Sequence, residues 1–178
     1  MSTSPPNYQG HIELISVALV VSPSDHHLVR SCVENIIAQE YDYKEIIIIN
    51  NTSNLTLAAN LDIEATRMVS IYDTEEDLPI GMCLNLAMHN THGPNFIHWT
   101  GIRPLDHLSQ MKVALDDYKA DVVYATDSSG TLDIRSCLLR KHRDLYHSPI
   151  DHPFREFLDR AKNTRKLLYL PMKYKKTL

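Results

Sequence analysis

The chain has 178 residues, 43% of them hydrophobic, and a formal net charge of −4. A chain of this length can bury about two-thirds of the surface that it exposes when unfolded, so the sequence is sufficient for one soluble domain with a substantial core. The mild acidity argues against nonspecific binding to nucleic acid or to an anionic membrane surface, and no apolar stretch approaches the roughly 20 residues that span a bilayer.

The three cysteines, Cys32, Cys83 and Cys137, are scattered along the chain. An odd and scattered set predicts neither a disulfide framework nor a C-x-x-C zinc pair. Cys32 and Cys83 lie in apolar helical patterns, so we interpret them as small buried hydrophobic residues. This usage indicates a reducing compartment, and we expect a cytoplasmic protein.

The N-terminal third predicts a strand, a helix and a second strand. Residues 14–21 form a continuous apolar run that is typical of a strand buried on both faces. Ser24 or Asp25 can cap the helix that follows. Its apolar stripe consists of Val29, Cys32, Val33, Ile36 and Ile37. Residues 45–49 are the second strand, so this segment predicts a right-handed βαβ unit with parallel strands.

The rest of the chain continues the alternation of strands and helices. A weaker helix is predicted over residues 55–65, and Pro104 is placed to start a later one. Further strands are predicted at residues 67–72, 95–99, 121–125 and 166–171, and further helical patterns begin near residues 80, 105 and 152. The segment 133–141 fits a strand or a helix equally well.

Alternation over the whole chain predicts a single α/β domain. We place a disordered leader at residues 1–12, the domain at 13–172 and a basic tail at 173–178. In such sheets ligands bind beyond the carboxyl ends of the strands. The polar segment at residues 50–54, Asn-Asn-Thr-Ser-Asn, follows the second strand directly. It fits a turn with a helix cap, or an edge whose amides and hydroxyls contact a base or a sugar.

Four segments together resemble glycosyltransferase family 2, whose members have the GT-A fold. They are "IIAQEYDYKEIIIINNTS", "GMCLNLAMHNTHGPNFIHW", "KADVVYATD" and "FREFLDRAKNTRKLLYLP". Each is weak alone, but their order and spacing match the family from about residue 14 to residue 171. The resemblance implies a Rossmann-like GT-A domain, a mostly parallel central sheet flanked by helices, and a nucleotide-sugar donor.

The resemblance also implies which residues line the donor site. Asn51 takes the place of the second carboxylate of the family's D-D pair, which contacts the nucleotide base. Ser22 falls on the threonine of the family's first turn. Asn85 falls on the asparagine of its "A-R-N" segment, whose arginine is Leu84 here. Three further nucleotide-binding candidates lie near the ends of predicted strands: Asn50, Ser53 and Thr100.

The family's metal motif is missing from this sequence. Its D-x-D carboxylates follow the fourth strand and hold Mg²⁺ or Mn²⁺ against the diphosphate, but here the register gives residues 100–102, Thr-Gly-Ile. The next carboxylate is Asp106, expected inside the following helix, so we expect no metal cofactor. Arg103 is either a cationic substitute that contacts phosphate or an ordinary surface arginine.

The catalytic base is equally displaced. The family supplies a carboxylate shortly before its "L-x-x-R" helix, and the strict register puts Phe154 there. Asp151 and Glu156 flank this position and are the candidates, with solvated surface acids as the alternative. His89 and His92 are spaced as a metal pair would be, but we interpret the histidines as structural or solvated because no cysteine lies near them.

Two hypotheses follow from these residues. The first is a sugar transferase without the usual metal, acting on a protein or glycan acceptor. The acceptor region is short, so an acceptor site is rudimentary or supplied by a partner. The second is a catalytically inactive GT-A protein, a pseudoenzyme, that binds a nucleotide, a glycan or a protein. No P-loop or G-x-G-x-x-G motif supports another nucleotide-binding class.

Overall fold

A computed structural model describes residues 13–52, 57, 61, 68–127, 132–140 and 153–174. Seven strands and four α-helices lie in these ranges. The strands are β1 (Ile15–Val21), β2 (Lys44–Asn50), β3 (Val69–Asp73), β4 (Asn95–His98), β5 (Val122–Asp127), β6 (Leu132–Arg140) and β7 (Leu167–Tyr174). The helices are α1 (Val29–Ile37), α2 (Ile80–His89), α3 (His107–Asp117) and α4 (Pro153–Ala161), and a 3-10 helix (His26–Leu28) precedes α1.

The strands form one mixed sheet in the order β3-β2-β1-β4-β6-β5-β7. The first four strands of this order are parallel, β6 runs antiparallel to β4 and β5, and β7 is parallel to β5. The predicted α/β fold with a mostly parallel sheet is therefore confirmed. The chain order reverses at β1, which pairs with β2 on one side and β4 on the other. This is the point at which open α/β sheets form a ligand crevice.

Helices cover both faces of the sheet. Helices α1 and α3 pack on one face, and α2 and α4 pack on the other. Consecutive residues of a strand point to opposite faces, so β2 sends Ile46 and Ile48 to the first face and Ile47 and Ile49 to the second. This double burial explains why β1 and β2 appear in the sequence as unbroken apolar runs.

Both cysteines with described side chains lie in this core. Cys32 and Cys83 are buried, as predicted, and both are free thiols, while the side chain of Cys137 lies outside the described part. Burial raises the pKa of both thiols, that of Cys83 to about 11. Neither thiol therefore ionises near neutral pH.

The start of α3 differs from the sequence prediction. Pro104 does not begin this helix, and Asp106 lies immediately before it rather than inside it. The reason is a loop between β4 and α3 that contains Gly101 with a φ angle of 91°. Asn35 of α1 fastens this loop. Its Oδ1 accepts from the Arg103 N–H at 2.9 Å, and its Nδ2 donates to the Arg103 carbonyl at 3.0 Å.

Other boundaries also shift. Neither Ser24 nor Asp25 makes the predicted side-chain cap at the start of the 3-10 helix, and Ile37 at the end of α1 is 44% exposed rather than buried. The described part of segment 133–141, residues 133–140, is a strand, because β6 fills the gap between β4 and β5. The helix predicted over 55–65 is described only at Leu57 and Leu61, which are both helical and buried.

The two predicted ends are only partly described. Strand β7 continues to Tyr174, two residues into the predicted tail, and residues 1–12 lie outside the described part. None of the described helices is long and apolar enough to cross a membrane.

Candidate functional site

Polar residues line the carboxyl edge of the sheet where four parallel strands end side by side. The pairing register places Val21 beside Asn50 and Asn50 beside Asp73. Ser22 continues from β1 and Asn51 from β2. On the other side of β1, Trp99 donates its backbone N–H to the carbonyl of Ala18 at 2.8 Å, so the residues that follow β4 reach the same edge.

Asn51 uses its amide to hold the segment between β3 and α2. Its Nδ2 donates to Asp77 Oδ1 and to the Leu78 carbonyl, both at 2.9 Å. Its Oδ1 accepts from the Thr74 hydroxyl and the Leu78 N–H, again at 2.9 Å. A primary amide has two donor hydrogens and two acceptor lone pairs. All four are used within the chain, and the residue is 6% exposed.

The two neighbouring candidates are also hydrogen-bonded locally. Asn50 donates through Nδ2 to Asp73 Oδ1 at 2.7 Å and accepts from the Thr52 hydroxyl at 2.6 Å. The half-buried Ser22 donates its hydroxyl to the Asp25 carboxylate. These bonds give the ends of β1 and β2 fixed side-chain positions. Ser53, the next candidate along the chain, lies outside the described residues.

Arg103 is buried in the loop after β4, at 2% exposure, so its interpretation as an ordinary surface arginine is wrong. Its guanidinium lies 4.5 Å from the centre of the Trp99 ring. It donates to the His98 carbonyl at 3.2 Å and to His107 Nε2 at 2.8 Å. Burying a charge requires such partners. Trp99, His98 and His107 therefore hold the Arg103 cation in the loop that follows β4.

His107 is neutral in this arrangement. A guanidinium can only donate hydrogen bonds, so Nε2 must accept and the ring proton sits on Nδ1. Burial lowers the pKa of His107 well below its usual value, and the positive charge of Arg103 lowers it further. Charge at this site therefore stays on the arginine.

This lowered pKa predicts a loss of stability in mild acid. Below pH about 6.5 the unfolded chain protonates His107 and the folded chain does not, so stability falls as pH falls. Between that pH and the lowered pKa, this residue contributes a slope of about 1.4 kcal/mol per pH unit. Urea unfolding at pH 7.5, 6.5 and 5.5 measures it. His107→Gln should remove this part of the slope, and His27→Gln, on an exposed histidine, should leave it. An unchanged slope in His107→Gln would contradict the assignment.

The residues after β4 do not fit a divalent metal. Mg²⁺ and Mn²⁺ favour several oxygen ligands with carboxylates among them, and residues 100–102 offer one hydroxyl and backbone carbonyls. The Thr100 hydroxyl is buried and has no hydrogen-bond partner among the described residues. Across the described ranges, no group of three or more His, Cys, Asp or Glu side chains could hold a metal ion. His92 instead contacts Glu45, with 2.8 Å between Nδ1 and Oε2.

Asn85 and Glu156 lie on helices α2 and α4, which cover the second face of the sheet. Asn85 is half-buried in the middle of α2. Glu156 is in the first turn of α4, where Arg160 binds its carboxylate through Nε at 2.9 Å and Nη2 at 3.3 Å. Asp151 lies outside the described residues. The structure thus brings Ser22, Asn50, Asn51 and Thr100 to one edge, with the buried Arg103 beneath it.

Sequence reasoning missed Asp77, Thr74, Asn35 and His107. The first two contact Asn51 across more than 20 residues of chain, and no local pattern signals that contact. Arg103 and His107 are four residues apart, a spacing that brings side chains together on one face of a helix. Arg103 lies in the loop before α3, so the helical spacing does not account for their contact.

Comparison with known proteins supports the fold. No protein-family model and no curated protein matches the sequence. Among solved structures, the mannosyltransferase PcManGT from Pyrobaculum calidifontis, in complex with GDP-Man and Mn²⁺, aligns at a TM-score of 0.71 and 14% identity, over 89% of this chain and 55% of that one. Residues 1–349 of S. aureus TarS, in complex with UDP-GlcNAc, align at 0.75 and 12% identity, over 92% and 59%.

The chain therefore spans a little over half the length of these two structures. At such low identity the likeness shows the fold alone. Together with the strand order, it shows that this chain has the fold of GT-A glycosyltransferases.

Proposed function

We propose that the chain binds a nucleotide-sugar at the carboxyl edge of the sheet and transfers the sugar without a carboxylate-held metal. The observation that carries this proposal is the convergence of polar groups from β1, β2 and β4 at the point where the strand order reverses. The fold likeness supports it, since PcManGT was solved with GDP-Man and TarS with UDP-GlcNAc. We further propose that the chain belongs to glycosyltransferase family 2.

Each part of the edge has a role in this proposal. Ser22 and Asn50 line the nucleoside side with Ser53, Asn85 adds a polar group from α2, and Thr100 is the hydroxyl residue of the diphosphate side. Arg103 supplies a fixed, buried positive charge within the loop at residues 99–103. A buried charge acts through a low dielectric and is screened little by salt, so it favours the diphosphate where the metal would otherwise act.

The acceptor hydroxyl must lose its proton to a base, and Asp151 or Glu156 is proposed for this step.

The experiment measures the release of nucleoside diphosphate from a panel of UDP-, GDP- and TDP-sugars in EDTA, with candidate glycan acceptors. Replacing the true base, by Asp151→Asn or Glu156→Gln, should lower turnover by about 10²–10⁴-fold. Asp159→Asn, on an exposed acid of the same helix, is the matched control and should keep full turnover.

A binding module without activity is the second candidate. It is favoured by the bidentate ion pair between Glu156 and Arg160, which occupies one of the two candidate bases. Nucleotide binding without turnover of any donor sugar would support this candidate over the transferase. Equal turnover in all three acid variants would exclude both Asp151 and Glu156 as the catalytic base.

A further inference from the structure

The amide of Asn51 does not suit the base-reading role that its position suggests. Its four hydrogen-bonding positions are filled by Thr74, Asp77 and Leu78. Contact with a base would require breaking at least one of these bonds in a residue that is almost fully buried. The cost of leaving a buried polar group unpaired is comparable to the gain from one new hydrogen bond, so such an exchange brings little affinity.

Asp77 lies beside Asn51, and its carboxylate can accept more hydrogen bonds than the one from Asn51. Its Oδ1 lies 2.9 Å from Asn51 Nδ2, so its carboxylate sits at the end of β2. The residue is exposed. A carboxylate accepts about four hydrogen bonds through its two oxygens, and the bond from Asn51 uses one of them. That bond also orients the group, so a ligand does not have to order it.

An oriented carboxylate selects among bases because it can only accept hydrogen bonds. Uracil and thymine present a ring N–H at N3, and guanine presents one at N1. Cytosine and adenine carry a ring-nitrogen lone pair at the corresponding positions, which a carboxylate repels. We propose that Asp77, positioned by Asn51, is the specificity-determining residue of the donor site and selects a keto base with a ring N–H. This inference rests on the proposed function, because it requires a nucleotide at this edge.

The test compares matched nucleotides by calorimetric titration. The wild-type chain should bind UDP about tenfold more tightly than CDP, or GDP about tenfold more tightly than ADP, since one unpaired polar contact of about 1.4 kcal/mol is worth that factor. Asp77→Asn should reduce the ratio to within about twofold, because an amide can either accept from N3–H or donate to a ring-nitrogen lone pair. It still accepts from Asn51, so the fold should persist, and thermal unfolding checks this.

Two further variants separate base contact from charge. Glu76→Gln removes an exposed negative charge one residue away and should leave the nucleotide ratio unchanged. Asp77→Glu keeps the charge and moves the carboxylate by one methylene, so it should weaken the preferred nucleotide selectively. An unchanged ratio in Asp77→Asn, or equal wild-type affinity for both members of each pair, would overturn the inference and leave nucleotide binding standing. Absence of binding by all four nucleotides would overturn the proposed function together with the inference.

Discussion

Replacing Trp99 with alanine is expected to lower the free energy of unfolding by about 3–5 kcal/mol. Trp99 is fully buried and is the largest of the fully buried side chains in the described core. Its ring packs beneath α1 and α3, supports the Arg103 guanidinium and meets the edge of His107 with 5.7 Å between ring centres. Alanine removes this volume and leaves the charge of Arg103 over a cavity.

Urea unfolding followed by circular dichroism measures this effect, since Trp99 is the only tryptophan and its fluorescence is lost with it. Tyr118→Ala is the matched control, because that aromatic residue is 59% exposed and should change stability by less than about 0.5 kcal/mol. A loss in Trp99→Ala as small as that of the control would contradict the placement of the ring in the core.

Replacing Asn51 with aspartate restores the carboxylate that the resemblance implies at this position, yet we expect it to lower stability by about 2–4 kcal/mol. The substitution removes the two donors that reach Asp77 and the Leu78 carbonyl. The exposed Asp77 can turn to water, but the half-buried Leu78 carbonyl left without its donor costs about 1–3 kcal/mol. The substitution also places a second carboxylate within 3 Å of the first, which raises the cost further.

The second half of this test is a rescue. Adding Asp77→Asn to Asn51→Asp returns an amide donor to the pair, so the double variant should recover about 1–2 kcal/mol. The Leu78 carbonyl stays without its donor, which keeps the recovery partial. A double-mutant cycle in urea measures the coupling. Strictly additive effects of the two substitutions would contradict the bond between these side chains.

The sequence predicted those parts of the fold that depend on local pattern. The apolar runs at residues 14–21 and 45–49 identified β1 and β2, since burial on both faces leaves no polar alternation. The stripe of α1 was also correct except at Ile37, the last residue of the helix, which is 44% exposed. Segment 133–141 stayed ambiguous because its own residues do not decide between strand and helix. Its partners β4 and β5 decide it, and pairing over such distances has no local signature.

The sequence predicted where the candidate residues lie in the fold better than it predicted which groups they contact. Asn51 was placed correctly at the end of β2, but its four bonds come from residues 23 to 27 positions away, and the sequence cannot show which groups are already used. The burial of Arg103 was missed for a related reason. A single arginine is usually exposed, and its shelter by Trp99 and His107 depends on the loop at Gly101.

The proposed function depends most directly on nucleotide binding without a metal. Calorimetric titration of the full chain with UDP, GDP and TDP, each in EDTA and again in Mn²⁺, measures it. We expect at least one nucleotide to bind in EDTA with an affinity that Mn²⁺ changes by less than about twofold, because the residues after β4 offer no carboxylate ligands for the ion. Absence of binding in both conditions, or binding only in Mn²⁺, would contradict the proposed function.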